Sequence, residues 1–325
     1  MNRGMEDDGE IEGEEEEEEE FTVQSEIFQA SINKRHRKHS TAPSNTTAPS
    51  NTTLQTTTVG LVVSEFSFSN PLLDKGNGKV KKLLFDRDGD LILKRNEMTQ
   101  SVISIEHQCR TTLDSVGHQV WRGALLLSDL VLDSRRIKPG SVVLELGSGT
   151  GVSSIAASLH AKQVVCTDIN INGLLEQIQR NISLNEDLIQ CPIAVHELDF
   201  YSKGRYLNKE LEDSFSKVNI VIAADVVYDD DLTDAFVTTL DHIMRIPPRK
   251  TAYIALEKRY VFTLTDLNTV APCYEHFVSK ITSLSLPWVC ELLPLHDIKQ
   301  RFQYERLPHL VVWKITIPQN HAKNK

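Results

Sequence analysis

Glu145-Leu146-Gly147-Ser148-Gly149-Thr150-Gly151 is the run whose residue types and spacing are best suited to chemistry, a glycine-rich turn lying between two apolar stretches. Its glycines let a ligand lie against bare backbone, and Ser148 sets a hydroxyl between them. A pyrophosphate-binding turn needs G-x-G-x-x-G, with the phosphates held at a helix N-terminus. Here the spacing is G-x-G-x-G, and the preceding apolar run ends in a carboxylate, Glu145. A carboxylate there repels pyrophosphate and suits a cationic, phosphate-free ligand. Asp168 follows 23 residues after Glu145, about the separation at which an acid reaches ribose hydroxyls in nucleoside-binding folds of this kind.

A nucleoside that is cationic and free of phosphate is S-adenosylmethionine, whose amino and sulfonium charges an acidic site attracts. Two further residues fit an adenine: Asp199, as acceptor for its amino group, and Phe200, as a cover for the ring. The alternative for Asp199 is an ordinary loop carboxylate. Asp225-Val226-Val227-Tyr228 places a carboxylate and a phenol after another apolar run, and these are the candidates for the acceptor side. Methyl transfer is an in-line displacement, so the site must align a nucleophile about 3 to 3.5 Å from the methyl carbon. A lysine acceptor must first lose its proton, which desolvation in an apolar surround favours. Asp229, Asp230 and Asp231 read as an acidic helix start favourable to the dipole, or as a rim that attracts a basic segment.

These residues need a frame that brings them to one edge, and the apolar pattern supplies it. Strand-like runs at 141–146, 163–167, 193–198, 218–224 and 251–256 alternate with helical patterns from Val152, near 173–184, from Leu232 and near 266–280. Such alternation predicts a parallel sheet covered on both faces. Gln119 to Asp133 carries an apolar stripe at helical spacing, in which Trp121 reads as a core residue or as a lid over the ligand. At the end, 288–293 and 309–317 are β-like with a polar loop between them, which predicts a terminal antiparallel pair. The expected fold class is a Rossmann-like α/β sheet of seven strands, mostly parallel, with an N-terminal β-hairpin extension and a disordered N-terminal tail.

The boundaries follow from composition. Residues 1–57 combine the acidic run Glu14–Glu20, a basic cluster at 34–39 and TAPSNT written twice, so a disordered tail is expected. Residues 58–108 read as a β extension, 109–318 as the catalytic domain and 319–325 as a C-terminal tail. A hairpin is expected over 82–95, where Asp86, Asp88, Asp90 and Glu97 suggest a calcium loop. Leu91 stands where that loop requires glycine, so no metal is expected. The net charge of −10 is a property of the tail, since residues 1–20 alone hold twelve acidic residues and one Arg. No apolar run reaches the roughly 18 residues of a membrane span. The acidic N-terminus does not resemble a secretory or mitochondrial signal. Five scattered cysteines read as reduced thiols, so a nuclear or cytoplasmic location is expected, with the basic cluster as a candidate import patch.

Taken together, Trp121, the 145–151 loop, Asp168, Asp199 and the D-x-x-Y box at 225–228 resemble the seven-strand methyltransferases, and within them the family-16 protein-lysine methyltransferases. The resemblance covers roughly residues 100–317. The runs 119–127 (QVWRGALLL) and 228–235 (YDDDLTDA), and Glu257-Lys258-Arg259 with Phe262-Thr263-Leu264, are similar to one branch of that family. It implies methyl transfer to a lysine of a specific folded protein, with chaperones and nucleic-acid-associated factors as candidate partners. A monomer is expected, with no direct binding of nucleic acid or membrane. It also implies that Trp121 contacts the cofactor, that Ala224 contacts it through backbone, and that Asp225 and Tyr228 are catalytic. Phe200 departs from the tryptophan found in many members but keeps an aromatic cover. Two other activities fit the same fold: methylation of a nucleic acid or small molecule, and a non-catalytic protein that retains the cofactor pocket. Adenine-modifying enzymes usually carry two prolines where this chain has Val226-Val227, so the nucleic-acid alternative has less support.

Overall fold

The computed structural model describes residues 22–24, 60–74, 100–202, 208–263, 268–283 and 285–318. The expected hairpin at 82–95, its calcium-loop carboxylates, the basic cluster and the C-terminal tail lie outside these residues. In chain order the elements are β1 (Thr22–Gln24), β2 (Leu61–Ser69), α1 (Pro71–Asp74), β3 (Gln100–Gln108), β4 (Arg110–Thr112) and α2 (Arg122–Val131). Then come β5 (Val142–Leu146), α3 (Val152–Ala157), β6 (Gln163–Asp168), α4 (Leu174–Leu184), β7 (Ile193–Glu197), α5 (Lys209–Phe215) and β8 (Ile220–Ala224). The chain continues through α6 (Asp230–Arg245), β9 (Thr251–Glu257), β10 (Val261–Thr263), β11 (Asn268–Val270), α7 (Pro272–Ile281), β12 (Val289–Leu293) and β13 (Leu310–Thr316).

Seven strands form the central sheet in the order β12-β13-β9-β8-β5-β6-β7. The expected antiparallel pair at the end is present. Because β12 reverses again, β13 alone runs against the other six. All five residues of β5 are buried, as a parallel strand covered on both faces requires. Alternate residues serve opposite cores: Val143, Ile220, Ile222, Tyr253 and Ala255 pack towards α2 and α3. Val142, Leu144, Leu146, Val221, Ala223 and Ile254 pack towards α6 and α7. After β7 the chain crosses to β8 on the other side of β5. Strand order therefore reverses between β5 and β8, where a crevice opens at the carboxyl ends of the strands.

The N-terminal hairpin β2–β3 is docked by side-chain amides. Gln177, Asn181 and Asn185 recur every four residues and so share one face of α4. Asn181 Oδ1 accepts from Glu106 N at 2.7 Å while its Nδ2 donates to the carbonyls of Glu106 and Thr150. Asn185 accepts from Ser104 N and donates to Ser104 O, and Gln177 donates to Glu106 O. The helix thus satisfies the free edge of β3 much as a neighbouring strand would. On the other side Phe68 stacks on Phe302 at 4.8 Å between centroids. The loop carrying Phe302 is pinned by Asp129 of α2, whose carboxylate is bound by Arg301 N, Phe302 N, Tyr304 Oη and Arg306 Nη2.

Three elements differ from expectation. Thr22–Gln24, within the stretch expected to be disordered, pairs antiparallel with β4, and Gln119 Nε2 donates to Val23 O at 2.9 Å. A short polar segment forms a strand there because β4 and Gln119 offer it backbone and amide partners. Helix α7 starts at Pro272, not near Asp266, because Val261–Thr263 and Asn268–Val270 pair as a hairpin first. Proline at the first helical turn then suits the start. Helix α5 was not anticipated, although Asn208 caps it by accepting from Leu211 N at 2.7 Å and acids fill its first turn.

Candidate active site

The crevice at the reversal point is a cleft of about 500 Å³. Its floor is the glycine loop. Gly147 and Gly149 adopt φ of +66° and +53°, a region costly for other residues. A Cβ on Gly147 would stand 2.6 Å from Val226 Cγ1, and one on Gly149 would stand 3.1 Å from the Gly117 carbonyl. The loop is thus bare backbone pressed between neighbours, a cradle that a side chain would fill. Ser148, though buried, lines the same wall.

Asp168 at the end of β6 secures this loop. Its Oδ2 accepts from Gly149 N at 2.7 Å and its Oδ1 from Ile169 N at 2.8 Å. Burial pushes its carboxyl up to about 6, against the pull of those two N–H groups and of His118. Lone pairs remain on both oxygens for hydroxyl donors from the cleft. Asp199 and Phe200 follow β7 and line the opposite part of the wall. Phe200 is buried and tilts against Phe236 at 5.5 Å.

Trp121 is not a core residue. It stands in extended conformation at the N-cap of α2, half-buried, and lines the cleft. Its indole Nε1 donates to Val116 O at 3.0 Å, and the Arg259 guanidinium lies 4.6 Å from its ring centroid. Ala224 closes β8 at the cleft wall.

Glu145 and Gly151 do not line the cleft. The Glu145 carboxyl is 1% exposed and accepts from Ser154 Oγ at 2.5 Å, so it faces α3. Burial pushes it up to about 8, which leaves it neutral at pH 7. The expectation that its charge selects a cationic ligand is therefore corrected: a carboxyl buried in the sheet with hydroxyl partners and Asp168 nearby keeps its proton. Gly151 caps α3 and faces Ile178. The negative charge comes instead from Asp114, Asp168, Asp199, Asp225, Asp229 and Asp231, all on the cleft wall, and among the described residues no Lys or Arg lines it.

Asp225 and Tyr228 both reach the cleft but differ in what they can do. Asp225 has φ of +53°, which aspartate tolerates better than most residues. Its Oδ2 accepts from Gly123 N at 2.7 Å and its Oδ1 from Glu257 N at 2.8 Å. It therefore clamps the start of α2 and the end of β9 to the end of β8. A Cβ on Gly123 would approach Asp225 Oδ2 to 2.4 Å, so only glycine fits the clamp. Tyr228 is 38% exposed at the rim. Desolvation, with Asp168, Tyr201 and Asp229 nearby, pushes its phenol up to about 12, so it stays neutral and acts as a hydrogen-bonding group.

The sequence did not point to several parts of this wall: His118, bound to Gln177 Oε1 and Ile171 O, the rest of the 113–119 segment, and Tyr201. Gly117 and Gly123 on either side of Trp121 were the available signal, since glycine admits the close approach that Leu174 and Asp225 make there. The five cysteines are free. Among the described residues no helix is long and apolar enough to cross a membrane.

Residues 98–282 match the family described as lysine methyltransferase. The chain is 38% identical over 236 residues to methyltransferase-like protein 22 of Mus musculus, covering 67% of this chain and 60% of that one. It is 36% identical over 273 residues to the Homo sapiens protein of the same name, covering 78% and 66%. It is 33% identical over 135 residues to the protein-lysine methyltransferase METTL21E of Mus musculus, covering 41% and 53%. The chain thus spans 60 to 66% of the length of the first two relatives.

Proposed function

The chain belongs to the lysine methyltransferase family, and from that premise we propose that it transfers a methyl group from S-adenosylmethionine to a lysine side chain of a specific protein. The observation that carries this reading is the acid-walled cleft at the strand-order reversal, floored by bare glycine backbone and ending at Tyr228. Six aspartates around one cavity favour a cationic cofactor and a cationic acceptor, and oppose the phosphates of a nucleic acid. When bound, S-adenosylmethionine would supply an electrophilic methyl group, to whose carbon an amine lone pair would bond in line as the carbon–sulfur bond breaks and the neutral thioether S-adenosylhomocysteine leaves.

The residues present fit that cofactor. Gly147 and Gly149 would carry it against backbone, Asp168 would take ribose hydroxyls, and Asp199 with Phe200 would hold the adenine. Trp121 and Ala224 would bound the end nearest the acceptor. Asp225 lines the cleft and keeps the three chain ends around this site in register. Tyr228, held neutral, orients the amine without taking its proton. Val226, buried beside Asp225 in the cleft wall, gives an apolar surface against which a neutral amine is favoured over an ammonium.

The test is incubation with labelled cofactor and a cell lysate, with Gly147→Arg as the dead control. A labelled protein band whose label maps to lysine supports the reading. Label in RNA, or none above the control, overturns it. The finer reading is a monomer acting in the nucleus or cytoplasm on a chaperone or nucleic-acid-associated factor. Light scattering, cell fractionation and mass spectrometry of the labelled band check these three parts.

A further inference from the structure

Two tyrosines stand on the rim of the cleft, and the function proposed above uses only one of them. Phe200 is buried, yet the next residue, Tyr201, is 54% exposed. Val226 and Val227 are likewise buried, yet Tyr228 is 38% exposed. Each wall therefore sinks its apolar residues and leaves one phenol at the mouth, and both tyrosines line the same cleft. Among the described residues neither phenol oxygen has a hydrogen-bond partner, and neither ring stacks on another. Two half-exposed rings on one cleft form an apolar rim of the kind that marks a binding groove.

The surroundings specify what would cover them. Asp199, Asp229 and Asp231 line the cleft beside the two rings. Two of these have fixed places: Asp199 Oδ1 accepts from Tyr201 N at 2.9 Å, and Asp229 Oδ1 accepts from Leu232 N at 2.8 Å as the cap of α6. Desolvation raises both phenols, and the same neighbourhood adds to it: Asp229, Asp231 and Asp199 at Tyr201, and Asp168 and Tyr201 at Tyr228. An aromatic pair in a ring of carboxylates suits an organic cation: the carboxylates attract it and the ring faces hold it.

We propose that Tyr201 pairs with Tyr228 as the acceptor entrance, holding the lysine side chain between two rings and accepting it with zero, one or two methyl groups already attached. This deepens the lysine methyltransferase reading and rests on it for the identity of the acceptor. The chemistry explains why rings are used in addition to acids. Each added methyl removes an N–H donor and weakens hydrogen bonding to carboxylate, but the charge still attracts a ring face. An entrance built from carboxylates alone would discriminate against a partly methylated lysine. Tyr201 is thus an acceptor-side residue that affects substrate capture and the extent of methylation.

The test uses tetramethylammonium as the probe, titrated by NMR into the full chain saturated with S-adenosylhomocysteine, with uncharged 3,3-dimethyl-1-butanol as the isosteric comparison. The cation should bind and the alcohol should not. Tyr201→Ala should weaken cation binding roughly two- to fivefold, and Tyr201→Phe, which keeps the ring, should retain it. Unchanged S-adenosylhomocysteine affinity in both variants shows that the fold is intact. With the labelled protein substrate, Tyr201→Ala should raise KM and shift the product from higher towards lower methylation states. The proposal is overturned if the cation does not bind, if Tyr201→Ala binds it as well as the native chain, or if Tyr201→Phe loses as much as Tyr201→Ala. If the cation binds through Tyr201 but no methyl is ever transferred to lysine, the entrance stands and the proposed function fails.

Discussion

The central sheet and the N-terminal hairpin are both β structure, but they are held by different physics. In the sheet, backbone ladders join buried strands and alternate apolar residues feed two cores. In the hairpin β2–β3, one edge is joined to the body by Gln177, Asn181 and Asn185 on a helix. Burial of apolar area is additive and tolerates substitution, whereas a buried amide network depends on every partner being present. The cleft lies where the two modes meet: His118 on its wall is bound to Gln177, which also holds the hairpin.

The largest loss is expected at Asp225, where the sheet itself depends on one polar group. Asp225→Ala should strand the Gly123 and Glu257 N–H groups and destabilise the fold by roughly 2 to 5 kcal/mol. Urea unfolding would show it, and a loss below 1 kcal/mol would mean that the clamp is not structural. In the hairpin, Asn181→Ala removes three hydrogen bonds from a side chain with no solvent exposure. A loss of roughly 2 to 3 kcal/mol is expected. Hydrogen exchange should accelerate at Glu106 and Ser104 while the β5 amides remain protected, and equal acceleration in both would mean that hairpin and sheet open as one unit.

Glu145 sharpens the contrast through pH. Its folded-state pKa is raised to about 8, so the folded chain holds this proton more tightly than the unfolded chain does. Stability from this group is therefore fully present below the unfolded value and is lost as pH rises from about 4.5 to about 8. Stability therefore falls steadily with pH across that window. Glu145→Gln should flatten this slope, so its melting temperature should exceed that of the native chain at pH 8 more than at pH 5. S-adenosylhomocysteine affinity should be retained, because the group does not line the cleft; a tenfold loss would restore it to the binding site. The smallest effect belongs to Arg180, whose half-exposed guanidinium pairs with Glu106 at 2.8 Å across the same helix–hairpin contact. Arg180→Ala should cost no more than about 0.5 kcal/mol, showing that the buried amides, not the surface ion pair, hold the hairpin.

The sheet and the glycine loop were legible because their signals are local. Apolar runs of five or six residues, an αL-prone G-x-G-x-G turn and acids at strand ends each announce themselves within a short window. The amide face of α4 was not legible as a dock, because Gln177, Asn181 and Asn185 look like any solvent-facing polar stripe until a strand edge lies beside them. Helix α7 was placed too early because nothing in 261–270 distinguishes a short hairpin from a helix lead-in. Trp121 was ambiguous for a related reason: helical spacing describes a face but not whether that face meets a core or a cleft.

By itself the sequence determined the alternating α/β order, the reversed strand near the end, the bare loop and the aspartates around it. All of these depend on residue type and near-neighbour spacing. Tertiary structure decided how each carboxyl is used, because that depends on dielectric and on partners distant in the chain. Glu145, the acid closest to the glycine loop in sequence, is buried against Ser154 and neutral at pH 7. Asp225, which reads as an acceptor acid, spends its oxygens on two backbone N–H groups, one 102 residues before it and the other 32 after it. The charge that makes the cleft attract cations belongs to aspartates brought together only when the strands take their places.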